Sequence, residues 1–209
     1  GLCAIERHAP SKAICHRRPH LIAQVDDREA LGAMMNLVAG ATARQYNRRK
    51  GRSGAFWEDT YQATAVESGQ HLWRCLRYVD LNMFRAGIVE HPSQWRWCGY
   101  DELMGTRSRY RILAFDRLME ALGGLHPAQF REAYAAGIQD AIDLGKRSRE
   151  QAWTDSFAVG SRIYVERVAQ RSGRRKLLYD EISADDASAM WCVREDSGPD
   201  ADYEARNGG

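Results

Sequence analysis

The sequence predicts an α+β fold, in which strands and helices alternate in the first half and helices dominate the second. Two short apolar runs, at residues 20–25 and 61–66, include β-branched residues and are typical of buried strands. Each run is followed by apolar residues at helical spacing. Beyond residue 112 the pattern is helical, with predicted helices at 113–122, 127–143 and 161–170.

Composition excludes several classes of protein. The chain has 209 residues, of which 44% are hydrophobic and 28% charged. No apolar run approaches the roughly 20 residues of a membrane-spanning helix, so we expect no membrane partner. The chain begins without a secretory leader, and its five scattered cysteines include no Cys-x-x-Cys pair. We therefore expect a cytoplasmic protein without disulfides. We also expect no structural zinc, because Cys15, His16 and His20 are too few ligands.

Charge is distributed unevenly along the chain. Residues 1–112 contain 17 Lys and Arg against 11 Asp and Glu, whereas residues 113–209 contain 13 against 17. The first part therefore has a formal charge of +6 and the second part −4. Of the 30 basic residues, 26 are arginine. Arginine suits bidentate phosphate contacts, although a GC-rich genome produces the same bias.

The first predicted helix begins after Asp27, a suitable N-cap, and runs to about Asn47 before Gly51 breaks it. Its predicted apolar stripe consists of Leu31, Met34, Met35, Val38 and Ala41.

The end of this helix and the residues after it are strongly basic. The cations there are Arg44, Arg48, Arg49, Lys50 and Arg52. With Tyr46, Phe56 and Trp57 close in sequence, they predict a groove that follows a nucleic-acid backbone and stacks on unpaired bases. The alternative is a solvated helix end whose cations complement the helix dipole. The charges exceed what a cap needs, which favours nucleic acid.

The second predicted helix starts at Ser68 or Gly69 and ends at Gly87. Tyr78 and Asn82 are four residues apart and therefore share a face of this helix. A phenol becomes a nucleophile when a cation or base stabilises its phenolate, and an amide oxygen is a suitable ligand for Mg²⁺ or Mn²⁺. The pair suits attack on a phosphodiester. The alternative is a half-buried aromatic residue beside a helix-terminal cap.

The remaining segments include an aromatic stretch and the end of the chain. We expect the stretch with Trp95, Trp97 and Tyr100 to fold back over the strands, and we expect Trp57, Trp95 and Trp97 to lie in the core or against the sheet. The last 25 residues are rich in Asp, Ser and Gly and are typical of a loosely held tail.

Several motifs occur together in a recognisable order. They are Tyr46-Asn47-Arg48-Arg49, the segment Gly51 to Tyr61, Leu76-Arg77-Tyr78-Val79-Asp80-Leu81-Asn82, Arg85-Ala86-Gly87-Ile88-Val89, and Pro92 with Trp95 and Tyr100. In this order and spacing the chain resembles the single-tyrosine HUH transposases, in particular the REP-associated tyrosine transposase group. The resemblance covers about residues 20–100, and the segment Trp153 to Val165 resembles the C-terminal extension of that group.

The resemblance implies a ferredoxin-like HUH transposase domain at 20–110, a helical C-terminal extension at 111–184 and a flexible tail at 185–209. Residues 1–19 are too few and too irregular to supply the first strand and helix of that domain, so we expect this start to be truncated or degraded. The implied activity is DNA transposition by a bacterial, nucleoid-associated mobile-element protein. Such a protein cleaves and rejoins single-stranded or hairpin DNA through a tyrosine nucleophile.

The resemblance also assigns site residues. Tyr78 matches the catalytic nucleophile, and His20 and Asn82 match ligands of a divalent Mg²⁺ or Mn²⁺ ion. Arg18 stands where the family has its first metal-binding histidine, and arginine has no lone pair to donate. His16 can replace that ligand only if Pro19 reshapes the strand edge. The metal site is therefore expected to be weak or lost.

Two alternatives follow from this departure. One is a catalytically inactive DNA-binding remnant that keeps the basic face, and the other is a fragment that does not fold alone. The sequence leaves open which DNA hairpin is bound, whether cleavage survives, whether the protein forms a homodimer and what the extension contacts.

Overall fold

The computed structural model describes residues 2–6, 19–25, 27–57, 60–109, 111–145, 147–182 and 189–196. The strands in these ranges are β1 (Leu2–Glu6), β2 (His20–Gln24), β3 (Gln62–Val66), β4 (Ala158–Gly160), β5 (Leu177–Ile182) and β6 (Met190–Glu195). The helices are α1 (Arg28–Lys50), α2 (Gln70–Asp80), α3 (Asn82–Arg85), α4 (Tyr100–Leu103), α5 (Phe115–Ala121), α6 (Pro127–Asp143), α7 (Ala152–Asp155) and α8 (Arg162–Ser172), with a 3₁₀ turn at Pro92–Gln94.

The strands form one mixed sheet in the order β2-β1-β3-β4-β6-β5. Strand β1 lies antiparallel between β2 and β3, with Cys3 opposite both Ala23 and Ala65. Strand β4 pairs in parallel with β3, and β6 pairs antiparallel with both β4 and β5. The predicted α+β class is confirmed.

The start of the chain differs from expectation. Residues 1–19 were expected to supply no strand, yet Leu2–Glu6 forms the second strand of the sheet. A five-residue run gives little periodicity, and this one is a strand because it has pairing partners on both sides, far away in sequence. Arg18 and His16, on which the expected metal site depends, lie outside the described residues.

The C-terminal part is also not the helical extension that was expected. It supplies β4, β5 and β6, and these strands continue the same sheet, so the boundary near residue 110 does not separate two cores. Strand β6 falls within the expected flexible tail but pairs on both of its edges, while residues 183–188 and 197–209 lie outside the described ranges. Strand β4 has three residues and forms because β3 holds it, with Ala65 N–H donating to Phe157 O at 2.8 Å.

The two faces of the sheet carry different helices. Along β3, Ala63 packs in the cluster of α1, and Ala65 packs in the cluster of α8. Val66 points to the opposite face, where it packs with Cys75 and Tyr78 of α2. This alternation is the two-residue period of a strand. Helices α1 and α8 therefore cover one face, and α2 covers the other.

Helix α2 is buried on two sides. Cys75 and Tyr78 face the sheet, while Leu72 and Leu76 join a cluster that includes Phe130 of α6. The layer formed by α4, α5 and α6 thus packs on α2 rather than on the sheet. The apolar arc of α2 is therefore wide, and Gln70, Arg74 and Arg77 lie on its narrow polar side.

Helix boundaries agree with most of the local signals. Asp27 caps α1 by accepting from Ala30 N–H at 2.7 Å, and Gly51 ends the helix in the left-handed conformation at φ 59°. Its buried stripe is narrower than predicted, because Val38 is exposed. The helix predicted to run to Gly87 is divided at Leu81 into α2 and α3.

A close contact fastens the C-terminal strands to the rest of the sheet. Gly160 ends β4, and Ser161 caps α8 through a bond from Tyr164 N–H. The Glu67 carboxylate accepts from Ser161 N–H at 2.5 Å and from Ser161 Oγ at 3.1 Å. A Cβ at Gly160 would lie 2.8 Å from Glu67 Cβ and 2.6 Å from the Tyr164 ring. Only glycine allows this approach.

Gly160→Ala should lower the free energy of unfolding by about 1–3 kcal/mol, because the added methyl group overlaps atoms fixed near two backbones. Chemical denaturation measures the change.

The matched control is Gly40→Ala in α1, where the added Cβ meets only the end of the flexible Arg44 side chain, at 3.2 Å. This substitution should be neutral or stabilising by up to about 1 kcal/mol, because alanine is the better helix former. Equal effects of the two substitutions would contradict the assigned contact.

Candidate active site

Tyr78 lies in the last turn of α2, on the side that faces the sheet. Its side chain is only 4% exposed and packs in a cluster with Val66, Val159 and Trp153. The Tyr78 and Trp153 ring centroids are 6.1 Å apart. Residues from the C-terminal part of the chain thus form one wall around the predicted nucleophile.

His20 contacts Tyr78 directly. The two rings meet edge to face with centroids 5.9 Å apart, and His20 is half-buried at the first position of β2. The structure therefore brings together two residues that are 58 positions apart and that the sequence assigned to one site. This contact arises because α2 runs back across the sheet from the end of β3 to the start of β2.

Arg85 also belongs to this site, although the sequence pattern assigns it no role. Its guanidinium carbon lies 4.1 Å from the centroid of the Tyr78 ring, and its Nη2 donates to the Tyr78 carbonyl oxygen. Among the described residues it has no carboxylate within ion-pair distance. Burial lowers the pKa of Arg85, and Tyr78 and Glu150 oppose this shift. The sequence does not predict this contact, because Tyr78 and Arg85 are seven residues apart and the helix is broken between them.

Asn82 begins α3, one turn beyond Tyr78. The chain continues in helical conformation through Leu81, whose N–H donates to Arg77 O at 3.0 Å. Tyr78 and Asn82 therefore keep the four-residue relation that places them on one side of the helical path. Asn82 itself is half-buried.

The donor set for a divalent cation is small. In the part of the chain that the structure describes, no group of three or more His, Cys, Asp or Glu side chains is placed to hold a metal ion. His20 and Asn82 are two neutral ligands, whereas Mg²⁺ prefers octahedral coordination by oxygen, usually with a carboxylate. The nearby Arg85 cation further opposes a divalent ion. These residues do not by themselves fit a resident Mg²⁺ or Mn²⁺.

The predicted basic surface is present as a group of exposed side chains at the end of α1. Its members are Arg44, Arg48, Arg49, Lys50 and Arg52. The loop after α1 folds back onto the helix, with Asn47 Nδ2 donating to Gly54 O at 2.9 Å and Trp57 Nε1 donating to Ala39 O at 3.0 Å. This folding fixes the cations on a rigid end.

The aromatic residues in this region have structural roles. Phe56 is only 2% exposed and packs between Tyr46 and Trp57, with centroids 4.7 Å from each. It cannot stack on a base, so the expectation of a Phe56 platform is wrong.

Trp97, in the segment before α4, also differs from its prediction. It was expected in the core or against the sheet but is 69% exposed.

The basic surface and Tyr78 lie toward the same end of the sheet but on opposite faces. Strands β2 and β3 are parallel to each other, because both are antiparallel to β1. Helix α1 leaves the end of β2, packs beside Tyr61 before β3, and continues past it to its basic end. Helix α2 leaves the end of β3 and brings Tyr78 to His20 at the start of β2. A single ligand that contacts both must therefore cross this end of the sheet.

Comparison with protein-family models, with curated proteins and with solved structures finds no match for this chain. Within the residues that the structure covers, no helix is both long and apolar enough to cross a lipid bilayer.

A buried carboxylate fixes the end of α2. Asp80 is 3% exposed; its Oδ2 accepts from Tyr134 Oη at 2.8 Å, and its Oδ1 accepts from Gly99 N–H at 3.1 Å. Burial raises the pKa of Asp80 from its ordinary 3.8 to about 6, although both hydrogen bonds oppose the shift. The bond to Gly99 ties the segment that contains Trp97 to the same helix end.

Asp80 should make the protein less stable as the pH rises from about 4 to about 6. Its folded-state pKa lies above its ordinary value, so the folded state holds the proton more tightly and loses that advantage as the pH rises through about 6. The shift corresponds to about 3 kcal/mol.

Asp80→Asn removes this titration. The difference in unfolding free energy between the wild type and the variant should therefore move by about 3 kcal/mol in favour of the variant between pH 3.5 and 7. Urea denaturation at several pH values measures it, and a difference that does not depend on pH would contradict the assignment.

Proposed function

We propose that the chain binds single-stranded DNA and cleaves it through Tyr78, as its resemblance to single-tyrosine transposases implies. The observation that carries this proposal is the Arg85 guanidinium, placed 4.1 Å from the Tyr78 ring without a described ion-pair partner. A half-buried cation beside a phenol favours the phenolate, and it also attracts the phosphate that the phenolate would attack.

The proposed step is a transesterification. Tyr78 Oη attacks the phosphorus, an O–P bond forms, and the bond from phosphorus to the 3′ oxygen breaks. The products are a 5′-phosphotyrosine and a strand with a free 3′-OH, which gains one proton. The Tyr78 proton leaves to a base, and we assign this role to His20 because its ring contacts Tyr78. The energy of the phosphodiester is kept for rejoining.

The basic surface supplies the second support. Five exposed cations at one helix end bind a phosphate backbone without reading its sequence. Their position at the same end of the sheet as Tyr78 allows one strand to contact both. A divalent ion at His20 and Asn82 stays a prediction of the resemblance, and the proposed step does not use it.

A second candidate function is DNA binding without cleavage. It is favoured by the burial of Tyr78, which is 4% exposed and packed against Trp153. A phosphodiester must reach the phenol oxygen for attack, and a catalytically inactive remnant of a transposase has no such requirement. The two candidates share the basic surface and differ in one measurable product.

Wild-type protein incubated with a labelled DNA hairpin that has single-stranded flanks should form a covalent adduct, which a denaturing gel detects. Tyr78→Phe removes the attacking oxygen and should reduce the adduct to background while leaving binding on a native gel unchanged. Parallel reactions with Mn²⁺ and with a chelator test the metal. Binding without an adduct in every reaction would leave only the second candidate.

Arg85→Met should slow adduct formation by about 10²–10³-fold, because it removes the charge that stabilises the phenolate and the transferring phosphate. Raising the pH should recover part of the rate, since solvent then removes the phenolic proton. Arg85→Lys keeps the charge and should retain more activity than Arg85→Met. A variant that melts normally and cleaves at the wild-type rate would exclude this role for Arg85.

A further inference from the structure

Trp97 is the most unusual side chain on the surface that the structure describes. Its indole is 69% exposed, the largest exposure of any aromatic side chain among the described residues. The Arg96 guanidinium lies over one part of the ring, with its carbon 4.3 Å from the centroid. A side chain this exposed offers the flat π face of its indole to a ligand.

The Arg107 side chain holds the backbone on both sides of Trp97. Arg107 Nη2 donates to Arg96 O at 2.7 Å and to Cys98 O at 3.0 Å, so one guanidinium fixes both neighbours of Trp97. The other terminal nitrogen of Arg107 lies 3.7 Å from the Glu102 carboxylate, which is almost fully buried. The indole is therefore presented by a rigid turn.

Further cations lie close to this turn in sequence. Between residues 95 and 112 the chain has four arginines and two acidic residues, and Glu102 already pairs with Arg107. Arg96, Arg109 and Arg111 form no ion pair with any carboxylate that the structure describes. Arg111 Nε donates to Arg107 O at 3.3 Å, which keeps its guanidinium close to the turn. We name Arg96, Trp97, Arg109 and Arg111 the Trp97 surface.

We propose that the Trp97 surface binds unpaired DNA, with Trp97 stacking on a base and the three arginines contacting neighbouring phosphates. This inference rests on the proposed function and adds a second contact region to the basic surface of α1. Aromatic rings beside cations are the features that bind single strands, because every base has a π face and every linkage carries a negative charge. A duplex hides its base faces and fits this surface poorly.

The position of the Trp97 surface supports one continuous strand. Gly99, two residues from Trp97, donates to Asp80 in the last turn of α2, and Tyr78 lies in the same turn on the opposite side of the helix. A helix with its side chains is about 10–12 Å across. At the stacked spacing of about 3.4 Å per nucleotide, three or four nucleotides span this distance.

Fluorescence anisotropy with a labelled (dT)15 strand tests the inference. Trp97→Ala should weaken binding by about 5- to 150-fold, the range that corresponds to 1–3 kcal/mol for one stacked base. Trp97→Phe keeps a smaller ring and should recover much of the affinity. Arg109→Ala should lower the slope of log K against log salt by about 0.7. A fully paired duplex should bind with no dependence on Trp97.

Two control variants match these changes in chemistry and exposure. Tyr179→Ala removes an aromatic residue that is 43% exposed on β5, and Arg171→Ala removes an exposed cation at the end of α8. Neither should change affinity. Wild-type affinity in Trp97→Ala, equal losses in Trp97→Ala and Tyr179→Ala, or no binding of (dT)15 by the wild type would overturn the inference.

The adduct assay separates this inference from the proposed function. If the protein cleaves DNA through Tyr78 and its affinity does not depend on Trp97, the proposed role of the Trp97 surface is excluded and the proposed transesterification is kept. If binding depends on Trp97 but no adduct forms, the proposed role of the Trp97 surface is kept and the proposed cleavage is excluded.

Discussion

The burial of α2 between two layers is the constraint on which the rest of the structure depends. One side packs on the sheet through Cys75 and Tyr78, and the other packs on α6 through Leu72 and Leu76. Only a narrow polar side of such a helix reaches solvent, through Gln70, Arg74 and Arg77, so a polar group that faces the core must find a partner inside the protein. Asp80 does so with Tyr134 and Gly99. The same geometry places Tyr78 where a cation and a histidine can reach it.

The C-terminal strands belong to this constraint, because they complete the surface on which α2 packs. Val159 of β4 joins the cluster around Tyr78, and β4 reaches that position through its parallel pairing with β3. Glu67 and Gly160 hold β4 and the start of α8 close to the end of β3. The Glu67 carboxylate accepts from the N–H of Ser161, the N-cap of α8, and the absence of a side chain at Gly160 leaves room for Glu67. The wall around the candidate nucleophile is therefore built by non-local contacts.

Local signals in the sequence predicted the elements that local physics decides. Asp27 caps α1, Gly51 ends it, and α6 occupies the predicted 127–143. Non-local pairing decided the rest, since Leu2–Glu6 and Ala158–Gly160 are too short to show a period and become strands only beside their partners. For the site, the four-residue relation of Tyr78 and Asn82 was predictable. The position of Arg85 depends on the break at Leu81, and the exposure of Trp97 depends on Arg107.

The electrostatics of the site favour an anion over a cation. Arg85 is half-buried, and a charge withdrawn from water is costly unless other groups compensate it. Its described partners are the Tyr78 ring and the Tyr78 carbonyl, with the Glu150 carboxylate close enough to oppose the lowering of the Arg85 pKa but outside ion-pair distance. A phosphate beside Tyr78 would complete the neutralisation of this guanidinium, and it would do so most strongly when negative charge develops during attack. A divalent ion in the same place would add repulsion and would find two neutral ligands. Under the proposed function, the described residues around Tyr78 therefore suit a phosphodiester, while position 18, where the resemblance places the first metal ligand, lies outside the described residues.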